Sequence, residues 1–150
     1  MSKFMIRPAT IKDAEGIFQV HRDAILNIED YLYSQELKKA WAPENSMRAQ
    51  NIIQSEEFYT AVAVINKKVV GFGSITGNSL NLLYVDPKFQ KQGIATEILE
   101  HLEFRLTKPI ELKVSKNCVE FYHKLGYKIL GKSNSIINNH VIDSFLAAKA

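Results

Sequence analysis

The segment between residues 86 and 96 combines residue types that can bind an anion through the backbone. Asp86-Pro87 ends an apolar run, and Gly93 stands where a helical pattern begins. The first amides of a helix have no internal partner and lie at the positive end of its dipole. Gly93 lets a ligand approach the backbone because it carries no Cβ. Residues 90–95 are therefore predicted to hold a phosphate-like group, as helix N-termini do.

The same spacing also fits an ordinary strand–loop–helix connection that contains one glycine, so this alternative stays open. A Walker phosphate loop is excluded because no Gly-Lys-Ser/Thr follows. The dinucleotide fingerprint is excluded because its trio of glycines is missing. Lys88 and Lys91 would add a long-range attraction for phosphate.

The front third of the chain is predicted to be helical after a short strand at residues 4–7. Apolar residues over residues 14–28 recur at helical spacing, and His21 lies on the same face. Ser34 is the predicted N-cap of a second helix, and a third helix follows from Met47.

The remainder of the chain is predicted to be rich in strands, because β-branched and aromatic residues dominate it. Three such runs, joined by turn signals, predict a meander of antiparallel strands. Two helices and three more strands follow. In chain order these elements are strands at 59–65, 69–75 and 80–85, a helix from 93, a strand at 110–114, a helix at 117–125, and strands at 127–130 and 141–147.

Composition and charge limit the class of protein. The 150 residues are 46% hydrophobic and 23% charged, which suits one globular domain over residues 1–150. Lys and Arg number 19 against 16 Asp and Glu, and no dense basic run indicates nucleic-acid binding. Cys118 is the single cysteine, which excludes an internal disulfide and a Cys-based zinc site. Without a signal peptide or a long apolar stretch, we expect a cytoplasmic protein that does not enter a membrane.

Two separated motifs resemble those of the GNAT acetyltransferases. The first looks like the family signature Gln/Arg-x-x-Gly-x-Gly/Ala and reads Gln90-Lys91-Gln92-Gly93-Ile94-Ala95, after residues 83–87 that resemble the end of the cofactor-binding strand. The second covers residues 114–127, in which an Asn and a Phe-Tyr pair precede a Gly-aromatic step. The resemblance implies an acetyl-CoA-dependent N-acetyltransferase that acts on a primary amine of a small molecule or peptide, by direct transfer in a ternary complex.

The resemblance also implies an α+β fold, with a bent, mixed, mostly antiparallel sheet of six to seven strands and four to five flanking helices. The parallel strands 80–85 and 110–114 would splay apart, and a pantetheine arm would pair there with the backbone of Leu83 and Val85. Its amides would satisfy groups that the splay leaves unpaired. The cofactor residues implied are Leu83, Tyr84, Val85, Gln90, Lys91, Gln92, Gly93, Ile94, Ala95, Thr96, Asn117 and Tyr122. No metal is expected.

Acetyl transfer needs a neutral amine, and the sequence leaves the general base open. A lysine-like amine has a pKa of about 10.4, so most of it is protonated at neutral pH. Family members often supply a carboxylate from the strand before the loop, but residues 79–85 contain no acid and no histidine. His21, Glu29 and Asp30 are the alternatives. The competing interpretation of His21 is a packed core histidine, and that of Glu29 and Asp30 is two solvated surface charges.

Tyr122 is the proton donor that the resemblance implies for the leaving thiolate, because a phenol is neutral at pH 7. The alternative is packing beside Phe121. Tyr31, Tyr33 and Trp41 are expected to line an acceptor pocket between the front helices and the last strands, although they could equally be core residues. A non-catalytic acetyl-CoA sensor or an interaction domain is the alternative function. The acceptor and the oligomeric state, a homodimer included, stay open.

Overall fold

The computed structural model describes residues 4–150, which form one seven-stranded sheet and five α-helices. The strands are β1 (Met5–Pro8), β2 (Phe58–Ile65), β3 (Lys68–Thr76), β4 (Ser79–Val85), β5 (Ile110–Ser115), β6 (Lys128–Ile137) and β7 (His140–Lys149). The helices are α1 (Ala14–Leu26), α2 (Gln35–Trp41), α3 (Met47–Gln54), α4 (Ile94–Glu103) and α5 (Val119–Lys124). The α+β fold with a mixed, mostly antiparallel sheet is confirmed. Among these residues no helix has the length and apolar character that a bilayer crossing requires.

The sheet opens between β4 and β5, its one parallel pair of neighbours. The strand order is β1-β2-β3-β4-β5-β7-β6. β4 and β5 pair at a single position, Ser79 with Glu111, near the start of each strand. By contrast, β5 pairs with β7 along its whole length, from Ile110 to Ser115. The splay between these two strands is therefore confirmed.

The helices pack on both faces of the sheet, and β3 shows how its side chains are divided between them. Gly71 and Gly73 lie against α4, since a Cβ at Gly73 would meet Leu102 Cδ1 at 2.6 Å. Phe72 points to the opposite face, where α1 and α3 pack in a second apolar cluster. Successive residues of a strand alternate between faces, so small residues are required where α4 comes close.

The β6–β7 hairpin extends beyond the predicted strands. The sequence predicts strands at 127–130 and 141–147, whereas β6 continues to Ile137 and β7 begins at His140. Residues 131–137 are mostly polar and lack the apolar alternation that marks a half-buried strand. Backbone pairing with β7 makes them a strand. Asn138 and Asn139 have φ angles of 49° and 64°, as a tight hairpin turn requires.

Candidate active site

The loop between β4 and α4 has a backbone suited to anions. Lys91 and Gly93 have φ angles of 65° and 84°, which are both left-handed, whereas Gln92 between them has no positive φ angle. Alternation of this kind turns neighbouring N–H groups toward one point, as in anion-binding nests. A Cβ on Gly93 would meet nothing within 4 Å. The left-handed conformation at the N-cap of α4, and not crowding by the protein, is therefore what requires glycine here.

Side-chain hydrogen bonds hold this loop to the end of β4. Gln90 Nε2 donates to the Val85 carbonyl at 3.1 Å. The Asp86 carboxylate accepts from the Lys88 N–H at 2.9 Å. Asp86 is 7% exposed, so it is a structural anchor and not a free charge. Gln90 therefore stabilises the loop through its own hydrogen bond to β4, whether or not a ligand is bound.

The backbone of β4 turns alternate residues into the gap. Tyr84 lies opposite Phe72 of β3, and the Asp86 N–H donates to the Val70 carbonyl at 2.8 Å. Hydrogen-bonding direction alternates along a strand, so the backbone groups of the odd-numbered residues 83 and 85 face away from β3. They face β5, whose only pairing with β4 lies at Ser79.

One cavity of about 430 Å³ runs from this gap to the loop. It brings together every residue predicted to bind the cofactor except Gln92. Five residues join them that the sequence did not predict as cofactor ligands. In full, the lining is Ala24, Ile28, Leu83, Tyr84, Val85, Phe89, Gln90, Lys91, Gly93, Ile94, Ala95, Thr96, Asn117, Cys118, Phe121 and Tyr122.

A second cavity of about 380 Å³ lies between the front helices and the strands β4 to β7. Its lining is His21, Tyr33, Trp41, Arg48, Ser79, Leu80, Asn81, Leu82, Leu83, Tyr84, Lys113, Ser115, Cys118, Tyr122, Ser135, Ile137, Ile142 and Ser144. Leu83, Tyr84, Cys118 and Tyr122 line both cavities. The two spaces therefore meet at the opening of the sheet.

Tyr122 and Cys118 contribute neutral groups at this junction. Tyr122 is 6% exposed, and burial raises the pKa of its hydroxyl, so it stays protonated at neutral pH. Edge-on contacts with Phe121 and Tyr127, at centroid distances of 5.0 and 5.5 Å, orient its ring. Burial also raises the pKa of the Cys118 thiol. A thiol that stays protonated is a poor nucleophile.

His21 lies in the wall of the second cavity as a neutral imidazole. It is 4% exposed, and its ring packs 4.5 Å from that of Tyr84 and 5.6 Å from that of Phe72. Burial, and then the charge of Arg48, lower the pKa of His21 from 6.5 to about 3. Its Nε2 atom has no hydrogen-bond partner within residues 4–150. His21 can exchange hydrogen bonds with a ligand, but it is too weakly basic to hold a proton at neutral pH.

The other two candidate bases and Tyr31 line neither cavity of this site. α1 ends at Leu26, and the turn that follows directs Glu29 and Tyr31 outward, with Tyr31 84% exposed. Both line a third cavity instead. The Asp30 carboxylate pairs with Lys38 Nζ at 2.7 Å, which lowers its pKa through that hydrogen bond. These residues stay outside the junction because the helix stops before it reaches them.

The two remaining predicted acceptor residues do line the second cavity. Tyr33 is 2% exposed and Trp41 9%, and their rings meet edge-on at 5.2 Å. The Tyr33 hydroxyl donates to the Asp143 carbonyl at 2.5 Å and accepts from the Lys116 N–H at 2.9 Å. Tyr33 therefore joins the front helices to β7 and to the end of β5, so it is a structural residue as well as part of the wall.

Among the polar residues of the second cavity that sequence reasoning missed are Arg48, Lys113 and Ser144. They come from α3, β5 and β7, and each looks like an ordinary exposed polar position when taken alone. The alternation of β5 does indicate that Lys113 lies on the face opposite Leu112 and Val114. It does not indicate that this face bounds a cavity.

Comparison with known proteins defines the class. The chain matches the family model described as "Acetyltransferase (GNAT) domain" over residues 20–142. It therefore belongs to the GNAT acetyltransferases, a family of acyltransferases, as the sequence motifs predicted.

Relatives and solved structures agree with this assignment. The chain is 25% identical over 131 residues to the peptidyl-lysine N-acetyltransferase YjaB of Salmonella typhimurium, covering 85% of this chain and 86% of the relative. It is 23% identical over 128 residues to the N-acetyltransferase YafP of Escherichia coli, covering 85% of this chain and 83% of the relative. A GCN5-related N-acetyltransferase from Rhodopseudomonas palustris has the same fold, with a TM-score of 0.91, 24% identity, and coverage of 100% and 97%. The PaiA N-acetyltransferase of Thermoplasma acidophilum in complex with coenzyme A also has this fold, with a TM-score of 0.80, 24% identity, and coverage of 99% of both chains.

Proposed function

We propose that this protein transfers an acetyl group from acetyl-CoA directly to a primary amine of a small molecule or peptide, in a ternary complex. The observation that carries the proposal is the meeting of two cavities at the opening between β4 and β5. Direct transfer requires two substrates to approach one point from separate binding spaces. Leu83, Tyr84, Cys118 and Tyr122 surround that point.

The residues of the first cavity fit acetyl-CoA. The backbone groups of Leu83 and the N–H of Val85 face the gap and suit the amides of a pantetheine arm, whereas the Val85 carbonyl already accepts from Gln90 Nε2. The left-handed loop at Lys91 and Gly93 suits a pyrophosphate. Asn117 offers an amide at the same wall. The PaiA complex with coenzyme A supports this use of the fold. When bound, acetyl-CoA supplies a thioester whose C–S bond breaks as the C–N bond forms, and one proton passes from the amine to the thiolate.

Side chains at the junction would take part in that proton transfer. We assign to Tyr122 the donation of a proton toward the leaving sulfur, because burial keeps its hydroxyl protonated. The raised pKa of Cys118 argues against an acetyl-cysteine route. No carboxylate is among the residues of the described chain that line the acceptor cavity. Burial beside Arg48 and Lys113 would instead favour the neutral amine by lowering its pKa.

A thiol-release assay with acetyl-CoA and a panel of primary amines tests the proposal. An enzyme of this kind releases free CoA only when an acceptor is present, and the rate should rise with pH toward the pKa of the amine. Acetyl-CoA alone should raise the melting temperature, because a ligand that binds the folded state stabilises it.

A stabilised protein that releases no thiol with any amine would support the alternative of an acetyl-CoA sensor. An unchanged melting temperature at saturating acetyl-CoA would contradict both functions. Reactions without amine are the control for hydrolysis of the thioester.

A further inference from the structure

The acceptor cavity has positive charges but no negative ones. Arg48 of α3 and Lys113 of β5 are the cations in its lining, and no Asp or Glu is among the lining residues of the described chain. Neither cation forms an ion pair with a carboxylate anywhere in residues 4–150. Charged groups of a binding site and of its ligand are arranged so that their potentials are complementary.

Arg48 and Lys113 lie on the exposed side of the cavity, and the charge of Arg48 acts on two groups in its wall. Burial lowers the pKa of His21 and raises that of Tyr84, and the charge of Arg48 lowers both values. Lys113 Nζ is held at 2.7 Å by the carbonyl of Asn134, a neutral partner that orients the ammonium group without cancelling its charge. An anionic group in this space would therefore meet an unmatched positive field.

Two buried polar atoms of the same cavity have no hydrogen-bond partner. They are Nε2 of His21 and Oγ of Ser144, and they are the only such side-chain atoms found in residues 4–150. A buried polar atom without a partner costs free energy, and native structures rarely keep one without a reason. Their shared position in the lining suggests that both are reserved for a polar ligand.

We propose that the acceptor is a small amine that also carries a carboxylate, of which a free α-amino acid is the simplest case. This inference rests on the proposed acetyl transfer and names the acceptor class for it. The amine would meet His21 Nε2 near the junction, while the carboxylate would pair with Arg48 and Lys113 and accept from Ser144. A polyamine would instead bring a second ammonium group into a space with two cations and no carboxylate. Unmatched like charges of this kind give specificity against such a substrate.

Matched pairs of substrates and charge variants test the acceptor class. The substrates are α-amino acids, the corresponding carboxamides, and spermidine. We expect the amino acids to exceed their carboxamides in kcat/KM by about tenfold or more, since one charged hydrogen bond is worth at least that factor. Arg48→Gln should remove most of this advantage through KM, and Arg48→Lys should retain most of it. Lys39→Gln, which removes an exposed charge outside the cavities, should leave the preference unchanged.

Equal use of amino acids and carboxamides, or a preference for spermidine, would overturn the inference. So would an Arg48→Gln variant that keeps the wild-type preference. If no amine releases thiol, the transfer function itself fails, and calorimetry on the CoA-loaded protein still decides the charge preference. Amino acids that bind more tightly than their carboxamides would support the site in that case, and equal or absent binding would refute it.

Discussion

Burial of His21 should make the stability of this protein fall in mild acid. The imidazole is 4% exposed, and burial is the main reason that its pKa falls from 6.5 to about 3. The unfolded chain takes up a proton near pH 6.5, whereas the folded protein does not until about pH 3. Because the unfolded state binds more protons between these values, the free energy of unfolding decreases as pH falls from about 7 toward 3.

The size of this effect follows from the distance between the two pKa values. A pH of 5 lies about 1.5 units below the ordinary pKa of the imidazole in the unfolded chain, and each unit corresponds to about 1.4 kcal/mol. His21 should therefore cost about 2 kcal/mol of stability at pH 5 relative to pH 7.5, where its contribution vanishes. For a single domain this is a large share of the usual 5–15 kcal/mol.

Urea denaturation of the wild type and of His21→Gln at pH 7.5 and pH 5.0 measures this cost. The wild type should lose about 2 kcal/mol more than the variant on acidification, whatever the stability of the variant at pH 7.5. Taking the difference of the two losses removes contributions from surface carboxylates common to both proteins. His123→Gln, at an exposed position, should behave as the wild type does. Equal losses in wild type and His21→Gln would show that the folded protein accepts a proton on His21 and would refute the reasoning.

Three further substitutions probe the junction, the loop and the sheet. Tyr122→Phe should lower turnover by about ten- to a thousandfold with little change in acetyl-CoA affinity, and an unaltered kcat would remove Tyr122 from the mechanism. Gly93→Ala should weaken acetyl-CoA binding and cost about 1–2 kcal/mol, because alanine is strained at a φ of 84°; thermal shift with and without the cofactor checks this. Gly73→Ala should lower the free energy of unfolding by about 1–3 kcal/mol, since its Cβ would lie 2.6 Å from Leu102 and 2.9 Å from Ile98. Wild-type stability in urea would show that α4 can shift away.

The local elements around the first cavity were predictable because each depends on neighbours in sequence. The end of β4 at Asp86-Pro87, the helix that opens at Gly93, and the C-terminal cap at Gly126 with a φ of 96° follow from rules about adjacent residues. Motif order then indicated the family, which the match over residues 20–142 confirms.

Helical periodicity predicted some residues of the second cavity but not others. His21 lies on the buried stripe of α1, so periodicity placed it in the interior. Glu29 was predicted as an alternative base and Tyr31 as an acceptor residue, but both follow the end of that helix. Helical periodicity does not predict which way the side chains of a turn point. Residues 131–137 form a strand only because β7 pairs with them.

The sequence by itself determined the order of the elements, the loop at the N-terminus of α4 and the membership of the chain in its family, because these depend on local conformation and on motif spacing. Tertiary structure alone decided that β4 and β5 separate after Ser79 and that Arg48, Lys113 and Ser144 meet around one space. Those side chains are up to 96 residues apart, between 48 and 144, and only chain folding brings them together. The charge that the cavity offers to an acceptor is a sum over these positions, so no single segment of sequence contains it.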